Sequence, residues 1–160
     1  MRKKSCIICM ANYCRSPVAA AIMNSLNSTR DTGIDFYSRG INSHNLVSMD
    51  PRSISFLESM NVTFEPHYPA DIRVHDCEQS TFLFTLDSTV NDNLRMLFKG
   101  YENKTFALNH CDPFLPTEDP FRFNEDKYLD IMNSIQKICS KLHDSIYNEQ
   151  LNTNKNNENY

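Results

Sequence analysis

The chain has 160 residues, 40% of them apolar and 22% charged, with a formal net charge of −4. That length suits one domain with a core of its own rather than two, and the acidic balance argues against broad nucleic-acid binding. Mean hydropathy is −0.52, and no apolar run approaches the ~20 residues of a membrane span.

The first apolar run, residues 6–11, is too short for a signal-peptide core, so a cytoplasmic location is expected. The cysteines, at positions 6, 9, 14, 77, 111 and 139, read mainly as reduced, small buried hydrophobes. Neither three disulfides nor a structural zinc site is expected of them.

Residues 4–9 read as a short buried strand. Ser16-Pro17 then opens a helix, Ser as N-cap and Pro at the first helical position, that runs to Leu26 and closes over residues 27–33. Residues 34–38 read as a second strand and residues 39–49 as a polar loop. Asp50-Pro51 starts a second helix, with Ile54, Phe56, Leu57 and Met60 on its apolar face. Residues 81–86 form a third strand, buried on both faces. Residues 90–98 form a helix, residues 104–108 a fourth strand, and residues 111–124 a loop with three prolines. Residues 125–146 form a long amphipathic helix, with Tyr128, Ile131, Met132, Ile135, Ile138 and Leu142 at helical spacing. The domain is set at residues 1–147. The Asn-rich tail, residues 148–160, is expected to be disordered. Alternating strands and helices predict an α/β fold: a parallel sheet with helices on both faces and right-handed crossovers.

The segment Cys9-Met10-Ala11-Asn12-Tyr13-Cys14-Arg15-Ser16-Pro17 lies between the first strand and the first helix. Sites in open parallel sheets form at the carboxyl ends of strands, and a helix N-terminus there offers free N–H groups to an anion. The residues between Cys9 and Arg15 can curl their amides around phosphate oxygens. Arg15 can hold two of those oxygens with its planar fork. The same positive surroundings favour a thiolate at Cys9, which can attack phosphorus.

This segment resembles the phosphate-binding loop of the low-molecular-weight protein tyrosine phosphatases, Cys-x-Gly-Asn-x-Cys-Arg-Ser-Pro, with Ala11 in place of the glycine. Ser38-Arg39-Gly40, Asp50-Pro51-Arg52, His67, Leu86-Asp87-Ser88 and Glu118-Asp119-Pro120-Phe121 follow in the family's order. The resemblance covers residues 4–146. It implies a three-layer fold with a four-stranded parallel sheet in the order 2-1-3-4.

The resemblance also implies roles. Cys9 would be the nucleophile, Arg15 the phosphoryl-binding group and Asp119 the general acid and later base. Asp112-Pro113, a second Asp-Pro in the same loop, leaves Asp112 as the alternative acid. Ser16 would hydrogen-bond the Cys9 sulfur. Asn12 would sit in a left-handed conformation held by Ser38 and His67. Met10, Ala11, Asn12, Tyr13, Cys14, Ser16, His44, Asn45 and Phe121 would meet the substrate. Cys14 is either a redox partner of Cys9 or a buried small residue. Arg122 would add positive charge at the mouth and favour acidic peptides. Neither cofactor nor metal is implied.

The expected partners are phosphotyrosine proteins or small aryl phosphates, with no nucleic acid and no membrane, for a monomer or weak homodimer. Ala11 raises the question of backbone strain, since the family's glycine could serve a positive φ. Two alternatives stay open: a catalytically weak phosphotyrosine-binding module, and an arsenate reductase of the same fold. Against the reductase, only Cys77 lies where that chemistry relays through a close pair. A phosphoarginine phosphatase resembles the family too, but has Thr where Tyr13 stands here.

Overall fold

The computed structural model describes residues 1–157, with side chains through residue 150. Four strands, β1 (Lys3–Cys9), β2 (Ile34–Gly40), β3 (Ser80–Thr85) and β4 (Thr105–Ala107), form one sheet in the order β2-β1-β3-β4. Every pairing is parallel. The helices are α1 (Arg15–Asn27), α2 (Pro51–Ser59), α3 (Val74–Gln79), α4 (Ser88–Leu97) and α5 (Glu125–Asn157). Short 3₁₀ turns occupy Glu102–Lys104 and Leu108–His110, on either side of β4.

Both faces of the sheet are covered. Ile7 and Phe36 join Val18, Met23, Leu57, Ile131 and Ile135 on the side of α1, α2 and α5. Cys6, Ile8 and Leu83 join Cys77, Val90 and Leu94 on the side of α3 and α4. Cys6 and Cys9 stand at Cys-x-x-Cys spacing, a pattern that elsewhere signals redox or metal chemistry. On a strand, residues three apart face opposite ways, and these two cysteines pack in different clusters.

The outer edge of β2 is satisfied by side chains of α1. Asn24 accepts from the Phe36 N–H at 2.9 Å and donates to its carbonyl at 2.8 Å. Asn27 donates to the Ile34 carbonyl at 2.7 Å. An exposed strand edge is a template for unwanted pairing, and two asparagines one helical turn apart occupy this one.

Several expectations need correction. Helix α1 begins at Arg15, with Cys14 as an N-cap residue that makes no side-chain cap bond. The Ser16 hydroxyl, expected to cap, is engaged with the side chains of Cys9 and Asn12 instead. Helix α3 was not anticipated; it is six residues long and mostly polar, with too short a period to detect.

The expected disordered tail is helical through Asn157, and residues 158–160 lie outside the described residues. Tyr128 to Ile146 anchor α5 in the core, and extending a nucleated helix needs little further stabilisation. The Gln150 side chain also reaches the Thr32 carbonyl. The structured body thus passes the boundary set at residue 147. Strand β4 is shorter than expected, and β2 runs on to Gly40.

Candidate active site

Cys9 ends β1, and residues 10–14 turn into α1. The carbonyls of this loop are tied from outside. Ile41 N–H donates to Cys9 O at 3.0 Å, Asn42 N–H to Met10 O at 2.8 Å and Asp50 N–H to Tyr13 O at 3.0 Å. His67 Nε2 donates to Asn12 O at 2.8 Å, and Ser53 Oγ to Cys14 O at 3.2 Å. With the acceptors held outward, the N–H groups of the loop and the first turn of α1 are left for an anion.

Asn12 is the hub. Its φ is 54°, a region Asn tolerates better than most residues. Its Oδ1 accepts from Ala70 N–H at 3.0 Å, and its Nδ2 donates to Ser16 Oγ and Ser38 Oγ, each at 2.9 Å. A carbonyl only accepts, so His67 presents an Nε2–H to Asn12. Burial above all pushes the His67 pKa down, with Arg39 adding to the effect and the Asn12 bond opposing it. Ala11 is not among the residues with positive φ, so its methyl group brings no left-handed strain. Gly40 carries the steric requirement instead. A Cβ there would lie 2.8 Å from Asn12 N and 2.9 Å from Ala11 C.

Cys9 Sγ lies 3.0 Å from Ser16 Oγ. Ser16 takes a hydrogen bond from Asn12, so its own proton is available to sulfur or, at 3.3 Å, to the Arg39 carbonyl. Arg15 is buried, with Nη1 at 2.6 Å from Asp87 Oδ2 and 2.8 Å from Thr117 O. Burial works against its charge, but Cys9, Asp87 and Asp119 together outweigh burial and hold its pKa above the ordinary value. A cavity of about 490 Å³ brings Cys9, Arg15 and Asp119 together. Tyr13 and Phe121 form part of its wall in an edge-to-face contact, with centroids 5.9 Å apart. A thiol, a guanidinium, donor amides and a carboxylate thus meet in one cavity beside aromatic walls, a combination suited to holding an anion next to a nucleophile.

Residues 4–156 match the model of the family described as low molecular weight phosphotyrosine protein phosphatase. The chain belongs to that family, whose members are phosphoric monoester hydrolases. It is 24% identical to the low molecular weight protein-tyrosine-phosphatase PtpA of Staphylococcus haemolyticus, across 87% of this chain and 90% of that protein. Its fold matches a low molecular weight phosphotyrosine phosphatase from Vibrio cholerae O395 with a TM-score of 0.84 at 20% identity, covering 92% of this chain and 98% of that one. The YwlE arginine phosphatase from Geobacillus stearothermophilus shares the fold at a TM-score of 0.83 and 20% identity, covering 94% and 96%.

In this phosphatase the other expected site residues divide. Met10, Ala11, Cys14, His44 and Arg122 line the cavity with those already placed. Asn12, Ser16, Ser38 and His67 stand behind it as a bonded frame. Asn45, expected at the substrate, instead lines a separate hollow with Arg39, Asp71 and Asp76. His44 and Asn45 both have positive φ, 51° and 57°, and this turn sends the two side chains to different hollows. Asp112 does not line the cavity. It pairs with Lys141 and accepts from Phe114 N–H, so Asp119 is the carboxylate at the site.

The Cys14 thiol donates to Asp50 Oδ2 at 3.4 Å, and burial pushes its pKa well up. Two contributors went unassigned in the sequence. Leu46 lines the cavity, and a lone apolar residue in a polar loop was its only signal. Asp87 was visible only as part of a matching segment. One of its oxygens caps α4 at Val90 N–H, 2.8 Å away, while the other holds Arg15.

Proposed function

We propose that this protein hydrolyses phosphotyrosine in proteins, and small aryl phosphates, through a phospho-cysteine intermediate. The observation that carries the reading is Cys9 Sγ beside Ser16 Oγ in a cavity that also holds Arg15 and Asp119. The phosphoryl oxygens rest on the loop amides and the Arg15 fork, which stabilise charge as it develops in flight.

The Cys9 thiolate attacks phosphorus, the S–P bond forms and the bond from phosphorus to the aryl oxygen breaks. Asp119 gives its proton to the leaving oxygen. Its carboxylate then takes a proton from a water that attacks phosphorus. The S–P bond breaks, inorganic phosphate leaves, and the sulfur electron pair returns to Cys9 while the Ser16 hydroxyl donates to it.

Tyr13 and Phe121 support an aryl substrate, since an edge-to-face pair flanks a flat ring well. Arg122 on the cavity wall supports a preference for acidic residues beside the phosphotyrosine.

The test is hydrolysis of p-nitrophenyl phosphate, a phosphotyrosine peptide and phosphoarginine in EDTA from pH 5 to 8. Turnover of the aryl substrates is expected, lost in Cys9→Ser and reduced about 10²–10⁴-fold in Asp119→Ala. Faster turnover of phosphoarginine would overturn the substrate assignment. No turnover with vanadate still bound would make the protein a phosphate-recognition module.

A further inference from the structure

A second cavity lies at the β4 edge of the sheet, between β4, α4 and α5, with a volume of about 410 Å³. Among the described residues it shares no lining residue with the cavity around Cys9. Phe82, Phe84 and Phe106 line it as a packed trio with ring centroids 5.7 to 6.2 Å apart. Phe106 is 47% exposed, high for a phenyl ring with two aromatic neighbours. Ile146 of α5 adds an aliphatic wall.

The ionisable groups among the described lining residues are Arg95, His110, Cys111 and Glu149. Arg95 lines the cavity and is tethered to the sheet: its Nε donates to Asn91 Oδ1 at 2.7 Å, and Asn91 Nδ2 donates to Thr85 Oγ1 at 3.0 Å. The tether orients the guanidinium through one nitrogen and leaves both terminal nitrogens for a two-oxygen acceptor. Among the described lining residues Arg95 is the single guanidinium, which matches one carboxylate better than a dianion such as phosphate.

The two sheet edges are finished differently. Asn24 and Asn27 seal the edge of β2, whereas β4 borders a hollow. Strand addition is a poor use of that hollow, because β4 has three residues and passes at once into a 3₁₀ turn. The volume instead falls in the range of small-ligand sites, which pair apolar walls with a few fixed polar groups.

We propose that this cavity binds a small monoanionic aromatic carboxylate, its ring against the Phe82, Phe84 and Phe106 side chains and its carboxylate on Arg95. The site is independent of the reaction at Cys9.

The experiment is calorimetric titration with 2-naphthylacetate and its neutral counterpart 2-naphthylacetamide, with vanadate saturating the Cys9 cavity. The acid is expected to bind one to one, about tenfold more tightly than the amide, as a charge-assisted hydrogen bond implies. Arg95→Gln should abolish that preference and leave amide binding unchanged. Phe106→Ala, at a half-exposed position, should weaken both compounds several-fold. Failure of either compound to bind, equal affinity of acid and amide, loss of binding when vanadate is present, or indifference to Phe106→Ala would each overturn the proposal. So would sedimentation showing a dimer that Phe106→Ala dissolves, which would assign this face to a second copy of the chain.

Discussion

Gly40→Ala tests how the phosphate loop is held. The added Cβ would stand 2.8 Å from Asn12 N, 2.9 Å from Ala11 C and 3.0 Å from Asn12 Cβ, well inside contact distance. Two of those neighbours are backbone, and Asn12 is fixed by bonds to Ser16, Ser38, Ala70 and His67. Relief therefore needs β2 and the loop to part by roughly half an ångström to one ångström. Overpacking of this kind costs about 1–3 kcal/mol, and a domain of this size loses ~2–4 °C of Tm for each of them. A misplacement near 1 Å at reacting groups costs on the order of 10²-fold in rate.

Gly33→Ala is the control. Gly33 has φ +67° with nothing near its Cβ position, so Ala there brings about 1–2 kcal/mol of left-handed strain far from the loop. The assay is kcat on p-nitrophenyl phosphate beside thermal unfolding of both variants. Both should be destabilised, but only Gly40→Ala should lose kcat, by about 10–100-fold. Wild-type kcat in a destabilised Gly40→Ala protein would refute the argument that the end of β2 positions the phosphate loop.

Asp87→Asn keeps an acceptor for the α4 cap but removes the charge facing buried Arg15; kcat should fall and Tm should drop, because Arg15 keeps its buried charge with one partner fewer, and Asp87→Ala should lose about 1 kcal/mol of cap stability in addition. Burial lowers the pKa of both His67 and His143 in the fold. The unfolded chain therefore takes up protons first as pH falls through about 6.5. Their contribution to stability is complete above that value and is lost toward the lower folded-state values. Tm should drop between pH 7 and pH 5.5, and His143→Gln should flatten the slope; a flat wild-type profile would remove this reading.

Peroxide should oxidise Cys9 to a sulfenic acid, which the Cys14 sulfur then attacks with loss of water to give a disulfide. Inactivation should be reversed by dithiothreitol in the wild type and much less so in Cys14→Ser. Equal recovery in both would leave Cys14 a packing residue donating to Asp50.

Much of this protein was determined locally by its sequence. The alternation of apolar runs with helical periods, the Asp50-Pro51 helix start and the Cys9 to Pro17 segment depend on neighbours in the chain, and the sheet order follows from the family they resemble. Local pattern put Cys9 and Arg15 on the connection from β1 to α1, the family resemblance put Asp119 on the connection before α5, and the fold brings all three to one cavity.

What local pattern could not decide depends on contacts across long stretches of chain. Asp87 belongs to a matching segment but has no role until β1 and β3 lie side by side and one of its oxygens meets Arg15. Asp112 and Asp119 look alike as Asp-Pro pairs; the family resemblance favours Asp119, and the packing of α5, which carries Lys141 to Asp112, leaves Asp119 at the cavity. The extension of α5 past Ile146 carries little apolar signal, because lengthening an anchored helix adds a hydrogen bond per residue without a new nucleation cost. Ala11 drew attention as the departure from a familiar motif. The glycine that the loop needs is Gly40, on a neighbouring strand, because steric closeness is set by what lies across the space and not by what lies next in the chain.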